Sequence, residues 1–84
     1  MSEELKSLYQ KIEQTGFYCE YDPLTGEIAV WDNKKTYIIK YIRHPSFRTE
    51  WFCIFKPGDV DKDNAVWFFT VDDLIKFLKR RLRA

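Results

Sequence analysis

One histidine, two cysteines, three glycines and three prolines are all that 84 residues hold of the types from which catalytic loops, metal sites and tight phosphate cradles are usually built. With glycine this scarce there is no glycine-rich phosphate loop. No Ser or Cys stands near a histidine with an orienting acid, and no helical pair of carboxylates aims at a cleft, so an enzyme is not expected. His44 precedes Pro45 at a strand end, the place of a solvated loop residue more than of a base or metal ligand. Cys19 and Cys53 lie in apolar strand-like runs without a CxxC pair, which points to buried thiols instead of a disulfide or a reactive site. Asp59, Asp61 and Asp63 have the spacing of a calcium loop. Asn64 stands where glycine is needed and Thr70 where the bidentate Glu belongs, so a solvated turn is expected there, and neither a metal nor a cofactor. No apolar run approaches the ~18 residues of a membrane span, and the start "MSEELKSLYQ" lacks a signal-peptide core, so a cytoplasmic protein is expected.

Large apolar side chains, by contrast, are abundant. Hydrophobic residues make up 45% and aromatics 18%, beside 32% charged residues, the composition of one folded domain over residues 1–84. A domain of this size buries only about 60% of the surface its unfolded chain exposes. The net charge of +1 hides a sorting by segment. Residues 1–32 carry seven acids against Lys6 and Lys11, whereas residues 33–56 carry six cations against Glu50 alone. Residues 57–73 are acidic again, and the end "IKFLKRRLRA" is basic. Such blocks give a dipolar surface with a region suited to polyanions. Cations at the end of a helix also arise simply to complement its dipole.

Periodicity then sets the elements. Leu5, Leu8, Tyr9 and Ile12 recur at helical spacing between Ser2, a capping residue, and Gly16, a terminator. "FYCEYDPLTGEIAVWD" reads as a hairpin in which Asp22 faces Glu27 and Tyr18 faces Trp31. A tight turn at "DNKK" brings Val30 opposite Tyr37 and Ala29 opposite Ile38 in "TYIIKYIR". Strands at 50–56 and 65–70 follow, and Thr70 caps a closing helix with stripe residues Val71, Leu74, Ile75, Leu78 and Leu82. The class is therefore α+β, an antiparallel four- to five-stranded sheet with N-terminal and C-terminal helices packed on one face.

Two helices can roof one face of such a sheet and not both. Phe17, Cys19, Tyr21, Ile28, Val30, Tyr37, Ile39 and Tyr41 form the apolar face that goes under the helices. The opposite face mixes rings with charge: Tyr18, Glu20, Ala29, Trp31, Ile38, Lys40 and Ile42. In the last two strands both alternating sets are apolar, and alternation alone does not choose between them. An open aromatic face threaded with cations suits single-stranded DNA or RNA, because bases stack on rings while Lys and Arg meet phosphates, as in OB folds. The residues expected to stack are Tyr18, Trp31, Trp51 and Phe52, with Lys34, Lys35, Lys40, Arg43 and Arg48 on the backbone and Phe47 beside them in the loop "RHPSFRTEW". The second expectation is a homodimer or other homo-oligomer that buries the same face as a subunit seam. Lys40 and Glu20 at its centre count against a dry seam and can form a cross-strand pair.

The order of a first helix, a hairpin-built sheet carrying "YIIKYIR", "WFCIFKPG" and "VWFFT", and a closing helix resembles the archaeal ThermoDBP-like single-stranded DNA-binding proteins. That resemblance implies a single strand held in an aromatic-lined, basic-rimmed cleft on a sheet, with DNA as the partner.

Overall fold

The computed structural model describes residues 1–58 and 64–83. The element order is α1 (Glu3–Thr15), β1 (Tyr18–Asp22), β2 (Glu27–Trp31), β3 (Thr36–Arg43), β4 (Glu50–Phe55), β5 (Val66–Phe68) and α2 (Val71–Arg81). Local chemistry explains where each helix starts and stops. The Ser2 hydroxyl accepts the Leu5 N–H and the Thr70 hydroxyl accepts the Asp73 N–H, each satisfying one orphan donor of a first turn. Gly16 ends α1 at φ 86°, a left-handed conformation that a side chain would strain.

The five strands form one antiparallel sheet in sequence order. The two hairpin registers agree with the sequence-based pairing: Tyr18 opposite Trp31, Asp22 opposite Glu27, Ala29 opposite Ile38 and Val30 opposite Tyr37. β5 is shorter than the expected 65–70 segment, because Thr70 is committed to capping α2 and Phe69 already lies in the bend before it.

Both helices lie on one face of the sheet. Leu5, Leu8 and Ile12 of α1 and Leu74, Ile75 and Leu78 of α2 share a single core with Ile28, Val30, Tyr37, Ile39, Phe52 and Ile54. Register settles the choice that alternation left open. Phe52 pairs with Tyr41 and with Phe68, so the set Phe52, Ile54 and Phe68 faces the helices and the set Trp51, Cys53, Phe55 and Trp67 faces away. Burying a Leu- or Phe-sized side chain stabilises by about 1.5–3 kcal/mol, which is why the covered face holds the fully buried aliphatics. The Lys11–Asp72 ion pair, 2.7 Å across the two helices, is exposed on both sides and adds little.

Candidate nucleic-acid interface

The sheet face away from the helices is built from residues that β-alternation leaves over once the core is satisfied. Across it, Tyr18 and Trp31 sit at one corner, Ala29, Ile38 and Phe55 along the middle, and Trp51 and Trp67 at the opposite corner. At about 3.4 Å per residue, the six steps from Thr36 to Ile42 separate the two corners by roughly 20 Å along the strands.

The two corners are ring clusters. Tyr18 and Trp31 stack with centroids 6.1 Å apart and planes 18° from parallel. At the other corner Phe47 lies almost parallel to Trp51, 7° between planes and 5.1 Å between centroids, and Trp51 also meets Phe69. Three outer rings keep more than half of their surface open: Tyr18 at 63%, Phe47 at 53% and Phe69 at 59%. Trp31, Trp51 and Trp67 are half-buried. The rings thus partly cover one another, and Cys53 on this same face is buried although no described helix lies above it.

His44 is not the solvated loop residue its sequence context suggests. Its ring is half-buried, 4.7 to 4.9 Å from the centroids of Phe47, Trp51 and Trp67. Nδ1 accepts the Ser46 N–H at 2.9 Å, which with the His44 N–H to Thr49 carbonyl bond shapes the loop that carries Phe47. The Trp51 indole N–H donates to the Thr49 hydroxyl at 3.1 Å and is oriented by it.

The cations are distributed unevenly. Among the described cations, Lys40 alone stands on the open face proper, half-buried, with Nζ 3.5 Å from a Glu27 carboxylate oxygen. The pairing considered with Glu20 is not formed, because Glu27 faces Lys40 across the β2–β3 register while Glu20 lies opposite Ala29. Lys34 and Lys35 occupy the β2–β3 turn, and Arg48 is exposed in the 44–49 loop. Arg43 pairs with Glu50 at the sheet end on the parity of Tyr41, so its Cβ points to the helix side. Phe52 is a correction to the expected stackers: it is 2% exposed, packed at 4.8 Å against Tyr41 under the helices. A base cannot reach it.

Trp67, Phe69 and His44 belong to the aromatic corner and were not among the expected residues. Arg43 stands opposite Glu50 in the β3–β4 register, which places Trp51 outward beside Ile42.

Next to Tyr18 the surface sinks into a cleft of about 620 Å³ between the β2–β3 turn and the end of α2. Asp32 organises it. One carboxylate oxygen accepts the Lys34 and Lys35 N–H groups, each at 2.7 Å, and the other accepts the Arg83 N–H at 3.0 Å. These donors, Lys34 first, hold the carboxyl below the usual carboxylate range, because they favour the charged form. Among the described residues no group of three or more His, Cys, Asp or Glu side chains gathers as a metal site. The aspartates of the calcium-like spacing, Asp59, Asp61 and Asp63, lie outside the described residues. No described helix is long and apolar enough to cross a membrane.

No protein-family model, curated protein or solved structure matches the chain.

Proposed function

We propose that the protein binds single-stranded nucleic acid, with DNA the first choice, on the open sheet face and without catalysis. One observation carries this reading: two ring stacks on the same uncovered face, each ending in a ring more than half exposed, with lysines between and beside them. Single strands offer flat bases and a regular line of phosphates, and a ring held from behind by another ring presents a rigid platform at small entropic cost. Each stacked base contributes roughly 1–3 kcal/mol in proteins of this kind. In this reading Tyr18 and Phe47 receive bases, Trp31 and Trp51 support them, and Lys34, Lys35, Lys40 and Arg48 neutralise phosphates. It is also the function implied by the resemblance to the archaeal ThermoDBP-like proteins.

A homodimer through this face is the competing reading. The Lys40–Glu27 pair at the centre of the face disfavours it, since interface centres are depleted of Lys and Glu.

Titrating the intrinsic tryptophans with a short oligodeoxynucleotide at two salt concentrations tests the proposal. Stacking near Trp31 and Trp51 quenches their fluorescence, and phosphate contacts make binding weaker at the higher salt. No quenching at low salt, together with a sedimentation mass that stays doubled on dilution, supports the dimer instead.

A further inference from the structure

We infer that the cleft beside Tyr18 is a site for a phosphate monoester attached to a planar base, whether at the phosphorylated end of a strand or on a free nucleotide. The site shares Tyr18, Trp31, Lys34 and Lys35 with the strand-binding reading and adds Arg81 and Arg83, so it extends that reading, and variants of those two arginines separate one from the other.

Charge makes the first case. Lys34, Lys35, Arg81 and Arg83 line the cleft, brought together from a turn and a chain end more than 40 residues apart in sequence. Ion pairs among the described residues are Lys11–Asp72 and Lys40–Glu27, so none of these four cations is matched by a carboxylate partner. The acid in the cleft, Asp32, is occupied by three backbone N–H groups and serves to tie the walls together. Among the described residues, one carboxylate and about half a negative charge from the α2 C-terminus stand against these four cations, of which Arg81 also lays its guanidinium over the Phe77 ring, 5.1 Å from the centroid. The remainder, about two and a half positive charges, suits the −1.5 to −2 of a phosphate monoester at pH 7 better than the single charge of an internal phosphodiester.

Shape makes the second. The volume falls within the ~300–1,000 Å³ usual for small-ligand sites. One wall is the Tyr18 ring, open to solvent and backed by Trp31, so a base can stack there while its phosphate reaches the cations. The opposite wall is held rather than loose: the Arg83 N–H is bonded to Asp32, and Lys35 Nζ donates to the Arg81 carbonyl at 3.4 Å. Dipole compensation accounts for the cations in the last turn of α2, whereas residue 83 lies past the helix, where its backbone N–H to Asp32 holds it beside the β2–β3 turn and brings a further cation to the cleft.

The test compares four probes on the wild-type protein: a short oligothymidylate with a 5′-phosphate, the same strand with a 3′-phosphate, the same strand with hydroxyls at both ends, and thymidine monophosphate. Tryptophan fluorescence gives affinity, and backbone amide shifts of Lys34, Lys35 and Arg83 give location. At least one monoester probe is expected to bind about tenfold or more tightly than the hydroxyl strand, the usual effect of a charge-assisted contact. Its shifts concentrate on those three amides. The double variant R81Q/R83Q, which keeps the backbone bond to Asp32, removes the preference and leaves the hydroxyl strand's affinity within about twofold. Lys34→Gln provides a second variant in the turn and also lowers the preference. Equal affinity for all strands, or a preference that survives both variants, overturns the inference even if strands bind the sheet face. Binding of a monoester probe with no binding of the hydroxyl strand upholds the inference and defeats the sheet-face reading. Thymidine monophosphate binding as tightly as the phosphorylated strands identifies a free nucleotide as the source, and failing to do so identifies the strand end.

Discussion

Replacing Lys40 with Glu examines the open face where it is least ambiguous. Lys40 is the cation that stands within the face rather than on its rim, and its ammonium lies 3.5 Å from Glu27. For single strands, each phosphate contact contributes about −0.7 to the slope of log affinity against log salt. At 0.1 M salt, one such contact corresponds to about a fivefold gain in affinity over 1 M. Lys40→Gln should therefore cost about fivefold and flatten the slope by about 0.7. Lys40→Glu adds repulsion of similar size, for a loss of about 25-fold. Fold stability should change by under about 1 kcal/mol, the range of like charges facing each other on a sheet. Fluorescence titrations of both variants at several salt concentrations, with thermal melts as the folding control, provide the readout. Variants that melt normally yet keep both the affinity and the salt slope of the parent would refute the placement of the strand on this face.

Phe52→Ala should destabilise the fold by about 3–5 kcal/mol in denaturant titration, because it empties a site between Tyr41 and Phe68, whereas Phe47→Ala should cost under about 1 kcal/mol yet weaken oligonucleotide binding. Thr70→Ala removes the acceptor of the Asp73 N–H and should cost about 1 kcal/mol by the same assay, with Thr70→Ser restoring most of it. Asp32 supplies a pH signature: its folded carboxyl titrates below the unfolded value near 4, so its stabilisation is complete above that value and lost as pH falls through the folded one. The Arg83 amide shift should hold constant from neutral pH to about pH 4 and move only below it. Asp32→Asn should abolish the titration, and a midpoint at or above the ordinary carboxylate value would contradict the three-donor geometry.

Much of the architecture was legible because its determinants are local. Ser2, Gly16 and Thr70 mark helix ends through their own side chains or backbone freedom, and two short turns leave β1, β2 and β3 a single register that keeps Ile28, Val30, Tyr37 and Ile39 together. β4 and β5 were different. Trp51, Cys53, Phe55 and Trp67 are as apolar as Phe52, Ile54 and Phe68, so hydrophobicity does not distinguish the covered side, and Phe52, expected to stack, is core.

The order of elements, the count of two helices against five strands, and the resulting uncovered face follow from the sequence itself, since capping, turn chemistry and period-two alternation act over a few residues at a time. Only the tertiary structure decided which rings are outside, that His44 packs among three of them, and that Asp32 fastens Arg83 beside Lys34 and Lys35. Those outcomes depend on cross-strand register and on contacts between segments some 50 residues apart, where no local preference of the chain carries the information.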